Sequence, residues 1–172
     1  FELETGLYKN DKQEGHWVTT NSKNVVLVDR YYSDDSPEGE FTRYYPNRQV
    51  QTRGRYKNGS RDGLWRTYYE NGKIQSESDH DSRNNTSRII NYYPNGKIKS
   101  EGKEKSIYKE GIWFFYDKDG TKSSIQYVNG KASGEITYYK KDGDIDYVEL
   151  YFSYVGTKRT YYRNNVKTNV KR

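Results

Sequence analysis

The chain reads YYPNGKIKSEGK over Tyr92–Lys103 and, 24 residues earlier, YYENGKIQSE over Tyr68–Glu77. The wider pattern is a glycine, an aromatic or aliphatic residue two positions later, a tyrosine five positions later, and a turn residue nine positions later. Seven units keep this spacing at intervals of 22 to 24 residues, with Thr20, Ser87 and Lys158 as departures from the residue pattern. They begin near Gly15, Gly39, Gly63, Ser87, Gly111, Gly134 and Gly156. A fixed period of this length predicts a repeat architecture.

Each unit predicts two β-strands. The first is the aromatic stretch after the glycine, and it ends at a turn such as Asn71-Gly72 or Asn95-Gly96. Asn-Gly pairs favour tight hairpins because both residues tolerate a positive φ. The second strand carries an aliphatic residue at one slot, and a second turn such as Asn129-Gly130 leads to the next unit. The residues of this slot are Val26, Val50, Ile74, Ile98 and Ile145. No helical periodicity is present, so about fourteen short antiparallel strands are expected.

Strand alternation assigns the aromatic residues to two faces. The tryptophan slot is expected to share one face with the second tyrosine of each pair, while the tyrosine of slot five points to the other. The slot-five residues are Tyr44, Tyr68, Tyr92, Tyr116, Tyr139 and Tyr161. The structural aromatics of the other face are Trp17, Phe41, Trp65 and Trp113. We expect the glycine that opens each unit to allow a close approach by a neighbouring ring or backbone.

The predicted fold is all-β, an elongated single-layer antiparallel meander of tandem β-hairpins. It forms one repeat array over residues 1–172, in which the first and last units act as caps because polar residues replace their aromatics. Hydrophobic residues make up only 31% of the chain, and 20 of them are tyrosines, so a thin core is expected. The segment Asp79–Thr86 lacks strand character and is expected to form a longer mobile loop.

The net charge of +6 lies at one end of the chain. Residues 158–172 hold six basic and no acidic side chains, which leaves 24 of each sign in the first 157 residues. Nucleic-acid binding requires a basic excess, and the neutral repeats argue against it. The basic end is read either as a solvated terminal strand or as a site for an anionic partner. No apolar run reaches transmembrane length.

Residues for catalysis or metal binding are sparse. The chain has no cysteine and two histidines, His16 and His80, which lie in distant units. The carboxylates of Asp142–Asp146 occupy a hairpin-turn slot and lack the EF-hand order, so a turn is the preferred interpretation. We therefore expect no enzyme activity, no cofactor and no metal site.

Three stretches resemble the MORN-repeat variant found in bacterial proteins, including the YwqK-type antitoxin family. They are DGLWRTYYENGKIQSE (62–77), YYPNGKIKSEGK (92–103) and EGIWFFYDKDGTK (110–122). The resemblance covers roughly residues 14–165. It implies an extended sheet of stacked hairpins and a non-catalytic role in binding a partner protein, in some members a toxin that the repeat protein neutralises.

The sequence thus predicts a protein-binding scaffold whose slot-five tyrosines contact the partner, a toxin or effector. The alternative is an exported surface or adhesion protein that binds a host protein or glycan. Both a bacterial cytoplasmic location and an exported or lipid-anchored one with a removed leader remain open, since the chain contains no Met.

Overall fold

The computed structural model describes residues 1–152, 156–163 and 166–168, with side chains through residue 149. It contains no helix in these ranges and fifteen strands. The strands are β1 Glu2–Lys9, β2 Lys12–Asn21, β3 Val26–Ser33, β4 Ser36–Tyr44, β5 Val50–Lys57, β6 Ser60–Tyr68, β7 Ile74–Asp81, β8 Thr86–Tyr92, β9 Ile98–Lys105, β10 Tyr108–Tyr116, β11 Lys122–Val128, β12 Lys131–Tyr139, β13 Ile145–Phe152, β14 Gly156–Arg163 and β15 Val166–Thr168.

The strands follow one another in the sheet in chain order, each antiparallel to the next. The chain divides into two compact units, residues 1–87 with 92–96 and residues 88–91 with 97–172. β1 to β7 form the first unit and β9 to β15 the second, while β8 contributes residues to both. The predicted fold class, an all-β single-layer meander of tandem hairpins, is confirmed.

Turn chemistry closes the hairpins as the sequence predicts. The turn residue nine positions after each unit's glycine has a positive φ in six units, at Asn24, Arg48, Gly72, Gly96, Gly120 and Gly143. Three of the second turns hold two consecutive positive φ values, among them Asn58 and Gly59 (50° and 77°) and Asn129 and Gly130 (50° and 76°). Such turns match the right-handed twist of the strands that they join.

The opening glycine forms a β-bulge in five units, at Gly15, Gly39, Gly63, Gly111 and Gly134. Gly63 has a φ of +64°, and the register between β5 and β6 shifts around it, between Arg53 and Arg55. A Cβ built on Gly63 would meet no atom within 4 Å, and one on Gly39 would meet the Tyr31 side chain only at the ordinary contact distance of 3.6 Å, so close approach does not explain these glycines. The left-handed backbone explains the glycine instead, since side chains other than Asn and Asp rarely adopt it.

Carboxylates just before these glycines link successive hairpins. Glu38 Oε2 accepts a hydrogen bond of 2.7 Å from the backbone N of Asn58, in the turn of the following hairpin. Glu14 accepts from Asp34 N at 3.0 Å, and Glu110 from Asn129 N at 3.0 Å. These bonds satisfy turn N–H groups that the sheet ladder leaves unpaired.

Tyrosine hydroxyls form a second link between units. Tyr45 Oη donates to the carbonyl of Tyr68, and Tyr69 Oη donates to the carbonyl of Tyr92, each at 2.7 Å. In these two pairs, the second tyrosine therefore links its own unit to the end of the first strand of the next unit. Repeat arrays depend on such contacts between neighbours because no single hairpin is stable alone.

Two details of the strands differ from the prediction. β1 precedes the first predicted unit and pairs along β2, which raises the strand count to fifteen. The predicted loop at residues 79–86 is wrong, because β7 continues to Asp81 and β8 begins at Thr86. The pairing of Leu64 with Asp79 and of Gly63 with His80 keeps this polar segment in the sheet. Backbone pairing overrides its low strand propensity.

Candidate functional site

The two faces of the sheet differ in chemistry, and we call them the tryptophan face and the tyrosine face. The first carries Trp17 and Trp65 in the first unit and Trp113 in the second. The second carries the slot-five tyrosines, which alternate with the tryptophans along the strands.

The tryptophan face contains the core of each unit. Trp17, Trp65 and Trp113 are 4%, 2% and 1% exposed, whereas Phe41 is half-buried beside Trp65, with ring centroids 5.4 Å apart. The Nε1 of Trp65 donates to the carbonyl of Arg55 at 3.0 Å, and that of Trp113 to the carbonyl of Lys103 at 2.8 Å. These three tryptophans are inaccessible to a partner.

Cations of the chain itself cover the outer faces of these rings. The Cζ of Arg61 lies 4.2 Å from the Trp65 ring centroid, and Lys109 Nζ lies 4.4 Å from that of Trp113. Lys109 Nζ also lies 4.9 Å from the Phe115 centroid. Burial lowers the pKa of Lys109, and burial raises the pKa of Glu104, its cross-strand neighbour. The tryptophan face is therefore occupied by interactions within the chain.

On the tyrosine face of the first unit, five residues form one row across five strands. Asp29 pairs with Thr42, Thr42 with Arg53, Arg53 with Arg66, and Arg66 with Glu77. Direct cross-strand neighbours share a face and interact through their side chains. The row runs from one carboxylate to another through two arginines.

Glu77 ends this row inside a hydrogen-bond network. Arg66 Nε donates to its Oε1 at 2.8 Å, and Tyr92 Oη donates to its Oε2 at 2.8 Å. The Arg66 hydrogen bond, followed by that of Tyr92, lowers the pKa of Glu77. The hydrogen bond between Arg66 and Glu77 also raises the pKa of Arg66, because it stabilises the charged guanidinium. The slot-five Tyr92 is therefore tied into the fold.

The second unit repeats this arrangement. Tyr116 Oη donates to Glu101 Oε1 at 2.8 Å, and Arg88 Nη2 lies 3.7 Å from Glu101 Oε2. Burial, together with the hydrogen bond to Glu101, raises the pKa of Tyr116 to about 12. The next slot-five hydroxyl, that of Tyr139, lies 3.0 Å from Ser124 Oγ. The side chain of Tyr161 lies outside the described residues.

Tyr44 and Tyr68 differ from the other described slot-five residues. Both are half-buried, and neither hydroxyl has a hydrogen-bond partner among the described residues. The guanidinium of Arg53 lies over the Tyr68 ring, with Cζ 5.6 Å from its centroid. On the same face, Leu64 is 45% exposed and Tyr31 is 42% exposed. The tyrosine face of the first unit thus carries two tyrosine hydroxyls without partners among the described residues, together with exposed apolar side chains and the exposed guanidinium of Arg53.

The histidines lie on opposite faces of the first unit. His16 Nε2 contacts Asp29 Oδ1 at 2.8 Å on the tyrosine face, where both side chains are partly exposed. His80 Nε2 contacts Ser78 Oγ at 2.9 Å on the tryptophan face, and burial lowers the pKa of His80. In the part of the chain that the structure describes, no carboxylate hydrogen-bonds to His80 to complete a triad. Asp142 lies in a turn, where its Oδ1 accepts from Asp144 N at 3.0 Å.

Three segments of the chain match the family model of the MORN repeat variant, at residues 37–58, 61–81 and 89–104. The first two cover the hairpins from β4 to β7, which hold Tyr44, Tyr68 and Arg53. No curated protein matches the chain.

MORN repeats are typically protein- or membrane-binding motifs, and the matched hairpins are similar to them. None of the described residues forms a helix with the length and hydrophobicity needed to cross a bilayer. The matched segments do not distinguish Tyr44 and Tyr68 from the slot-five tyrosines with internal partners. That distinction comes from the side-chain contacts alone.

Two features escaped the sequence reasoning. Gly6, Gly54 and Gly102 recur every 48 residues, and each lies under a tryptophan ring that a Cβ would overlap. Arg53 stands where the units on either side have Asp29 and Glu77. The glycines could have been found in the sequence from their 48-residue period, twice that of the repeat. Arg53 could have been found as a basic residue at a position that is acidic in the neighbouring units.

Proposed function

We propose that this protein is a non-catalytic scaffold that binds another protein through the tyrosine face of its first unit. The observation that carries the proposal is the pair Tyr44 and Tyr68, whose hydroxyls have no partner among the described residues. Tyr92 and Tyr116 at the same slot donate to carboxylates of the fold. The hydroxyls of Tyr44 and Tyr68 can therefore form hydrogen bonds with a partner protein.

The composition of this surface suits a protein partner. Tyr68 and Tyr31 offer large rings at a small cost in side-chain entropy, and Leu64 adds exposed apolar area on the same face. Tyrosine and arginine are enriched at protein interfaces, where both carry much of the binding energy. The single-layer sheet presents these groups on paired strands, which hold them in fixed positions.

The non-catalytic part of the proposal is supported by the separation of the titratable groups. His16 and His80 project from opposite faces of the sheet, and each has one hydrogen-bond partner among the described residues. General acid–base or nucleophilic catalysis requires a base, a nucleophile and an orienting group in one place. The described side chains do not converge in this way.

We further propose that the partner is a toxin or effector that the protein neutralises. The support is the match to the MORN repeat variant together with the resemblance of the repeats to YwqK-type antitoxins. Binding through a broad aromatic surface is consistent with neutralisation, since blocking a toxin's active surface requires a large interface and no catalytic residues.

The test is co-expression of the protein with a toxin encoded beside it, with growth and co-purification as readouts. The double variant Tyr44→Ala/Tyr68→Ala should lose both rescue and complex formation, while its melting temperature falls only slightly. Arg43→Ala serves as a matched control, because Arg43 is exposed on the tryptophan face of the same unit. Full rescue by the double variant would contradict the proposed surface, and binding to a host protein or glycan instead would support the adhesion alternative.

A further inference from the structure

Arg53 interrupts a series of acidic residues on the tyrosine face. Asp29, Glu77 and Glu101 occupy the equivalent position of other units, at multiples of 24 residues. In the two later units, this carboxylate accepts a hydrogen bond from the tyrosine 15 residues further along the chain, Tyr92 or Tyr116. The corresponding tyrosine for Arg53 is Tyr68.

An arginine at this position leaves two donors, the Arg53 guanidinium and the Tyr68 hydroxyl, close together without an internal acceptor among the described residues. Arg53 is exposed and has no carboxylate within 4.0 Å among the described residues. Its guanidinium lies over the Tyr68 ring, and the Tyr68 hydroxyl has no partner there. Arg53 also stands directly opposite Arg66, and like charges in this relation destabilise a sheet.

We propose that Arg53 and Tyr68 bind a carboxylate from an acidic segment of the partner protein. The external carboxylate takes the place that Glu77 and Glu101 fill in their own units. It accepts from the Tyr68 hydroxyl and from the guanidinium fork, which matches the planar carboxylate geometry. This inference rests on the proposed function and identifies the chemistry of the partner.

The charge pattern around the site favours an acidic side chain over a membrane surface. Glu77 already neutralises Arg66, and His16 engages Asp29 at the far end of the row. Glu40 and Asp62 are the cross-strand neighbours of Arg55. A single unpaired arginine between carboxylates suits one acidic group, whereas adsorption to anionic lipid requires several clustered basic residues.

The experiment uses the full chain and an N-acetylated, C-amidated hexaglutamate peptide as the probe. Titration is followed by the NMR signals of the arginine Nε–H groups, with a hexaglutamine peptide as the uncharged control. The Arg53 signal should move in a saturable way with hexaglutamate and stay unchanged with hexaglutamine. A shift of every exposed arginine to the same extent would overturn the proposal.

Two variants sharpen the test. Arg53→Glu should weaken hexaglutamate binding at least about tenfold, a typical loss for a charge-assisted bidentate contact. The same variant should keep or raise the melting temperature, because the new carboxylate faces Arg66 and Tyr68. Arg43→Glu makes the same charge change on the tryptophan face and should weaken binding less than about twofold. Equal losses in both variants would show non-specific charge attraction and refute the site.

The remaining measurements separate this inference from the proposed function. Vesicles of phosphatidylcholine with phosphatidylserine should not compete with hexaglutamate, and competition that depends on Arg53 would assign the site to lipid and overturn the proposal. A partner that binds equally well to the Arg53→Glu variant would refute the carboxylate site alone. If the Tyr44→Ala/Tyr68→Ala variant rescued growth from the toxin as well as the unchanged protein does, the proposed function itself would be refuted.

Discussion

Trp65 lies flat against the backbone of Gly54 on the neighbouring strand, and any Cβ at Gly54 would overlap its indole ring. The indole Nε1 donates to the carbonyl of Arg55, one residue further along the same strand. The pair Trp113 and Gly102 repeats the contact in the second unit, with the hydrogen bond to Lys103. A sheet with so few aliphatic residues builds its core by placing a large ring over a residue without a side chain.

We predict that Gly54→Ala destabilises the protein by about 1–3 kcal/mol, the usual cost of overpacking a well-filled core. The free energy of unfolding from urea denaturation measures the effect. The same substitution in a Trp65→Val background should cost clearly less, because the smaller side chain leaves room for the methyl group. Additive losses in the double variant would contradict the proposed contact.

Tyr68 and Tyr69 allow a comparison of two neighbouring hydroxyls, one with a hydrogen-bond partner in the described part of the chain and one without, in their effect on stability. Tyr69→Phe removes the bond to the Tyr92 carbonyl and is expected to cost about 0.5–1.5 kcal/mol. Tyr68→Phe removes a hydroxyl that has no partner among the described residues, so the stability should stay unchanged. Thermal unfolding of the two variants under identical conditions makes the comparison, and equal effects would count against it.

Arg48 occupies the turn position that Gly72 and Gly96 fill in the next two units, with a φ of 68°. A side chain in the left-handed region costs roughly 1–2 kcal/mol. Arg48→Gly should therefore raise the free energy of unfolding, by about 1 kcal/mol once the extra chain entropy of glycine is subtracted. The reverse change, Gly72→Arg, should lower it by a similar amount. A fall in stability for Arg48→Gly would mean that the arginine side chain has a stabilising contact.

Glu77 should make stability depend on pH on the acid side. Its folded pKa lies below the ordinary value of 4.5, because Arg66 and Tyr92 hydrogen-bond its charged form. The stabilisation is therefore fully present above pH 4.5 and is lost as the pH falls through the lower, folded pKa. Melting temperatures of the native protein and of Glu77→Gln should differ near neutral pH and converge in acid. A constant difference across the acid range would exclude this ionisation as the cause.

Several features of the fold could be predicted because they are local. Asn58-Gly59 and Asn129-Gly130 indicate tight turns, and both have the expected positive φ values. The aliphatic slot predicts that the second strands carry Val26, Val50, Ile74, Ile98 and Ile145, and the structure makes each of them the first residue of its strand. The loop predicted at residues 79–86 failed because cross-strand pairing, which holds His80 opposite Gly63, outweighs the local preference of a polar segment.

The candidate site was predictable only in part. The repeat places Tyr44, Tyr68, Tyr92 and Tyr116 on equivalent positions, so sequence reasoning treats them alike. The structure distinguishes them, because each tyrosine lies close to the residue 15 positions earlier in the chain, and this residue differs from unit to unit. That residue is Glu77 for Tyr92 and Glu101 for Tyr116, but Arg53 for Tyr68.

The amino-acid sequence by itself determined the repeat, the turns and the alternation of faces, since each depends on the backbone preferences of neighbouring residues. Only the tertiary structure decided which glycine lies under a tryptophan ring, which glycine forms a bulge, and which tyrosines remain available to a partner. These outcomes depend on register between strands. Register brings together side chains such as Trp65 and Gly54, whose contact no local preference specifies.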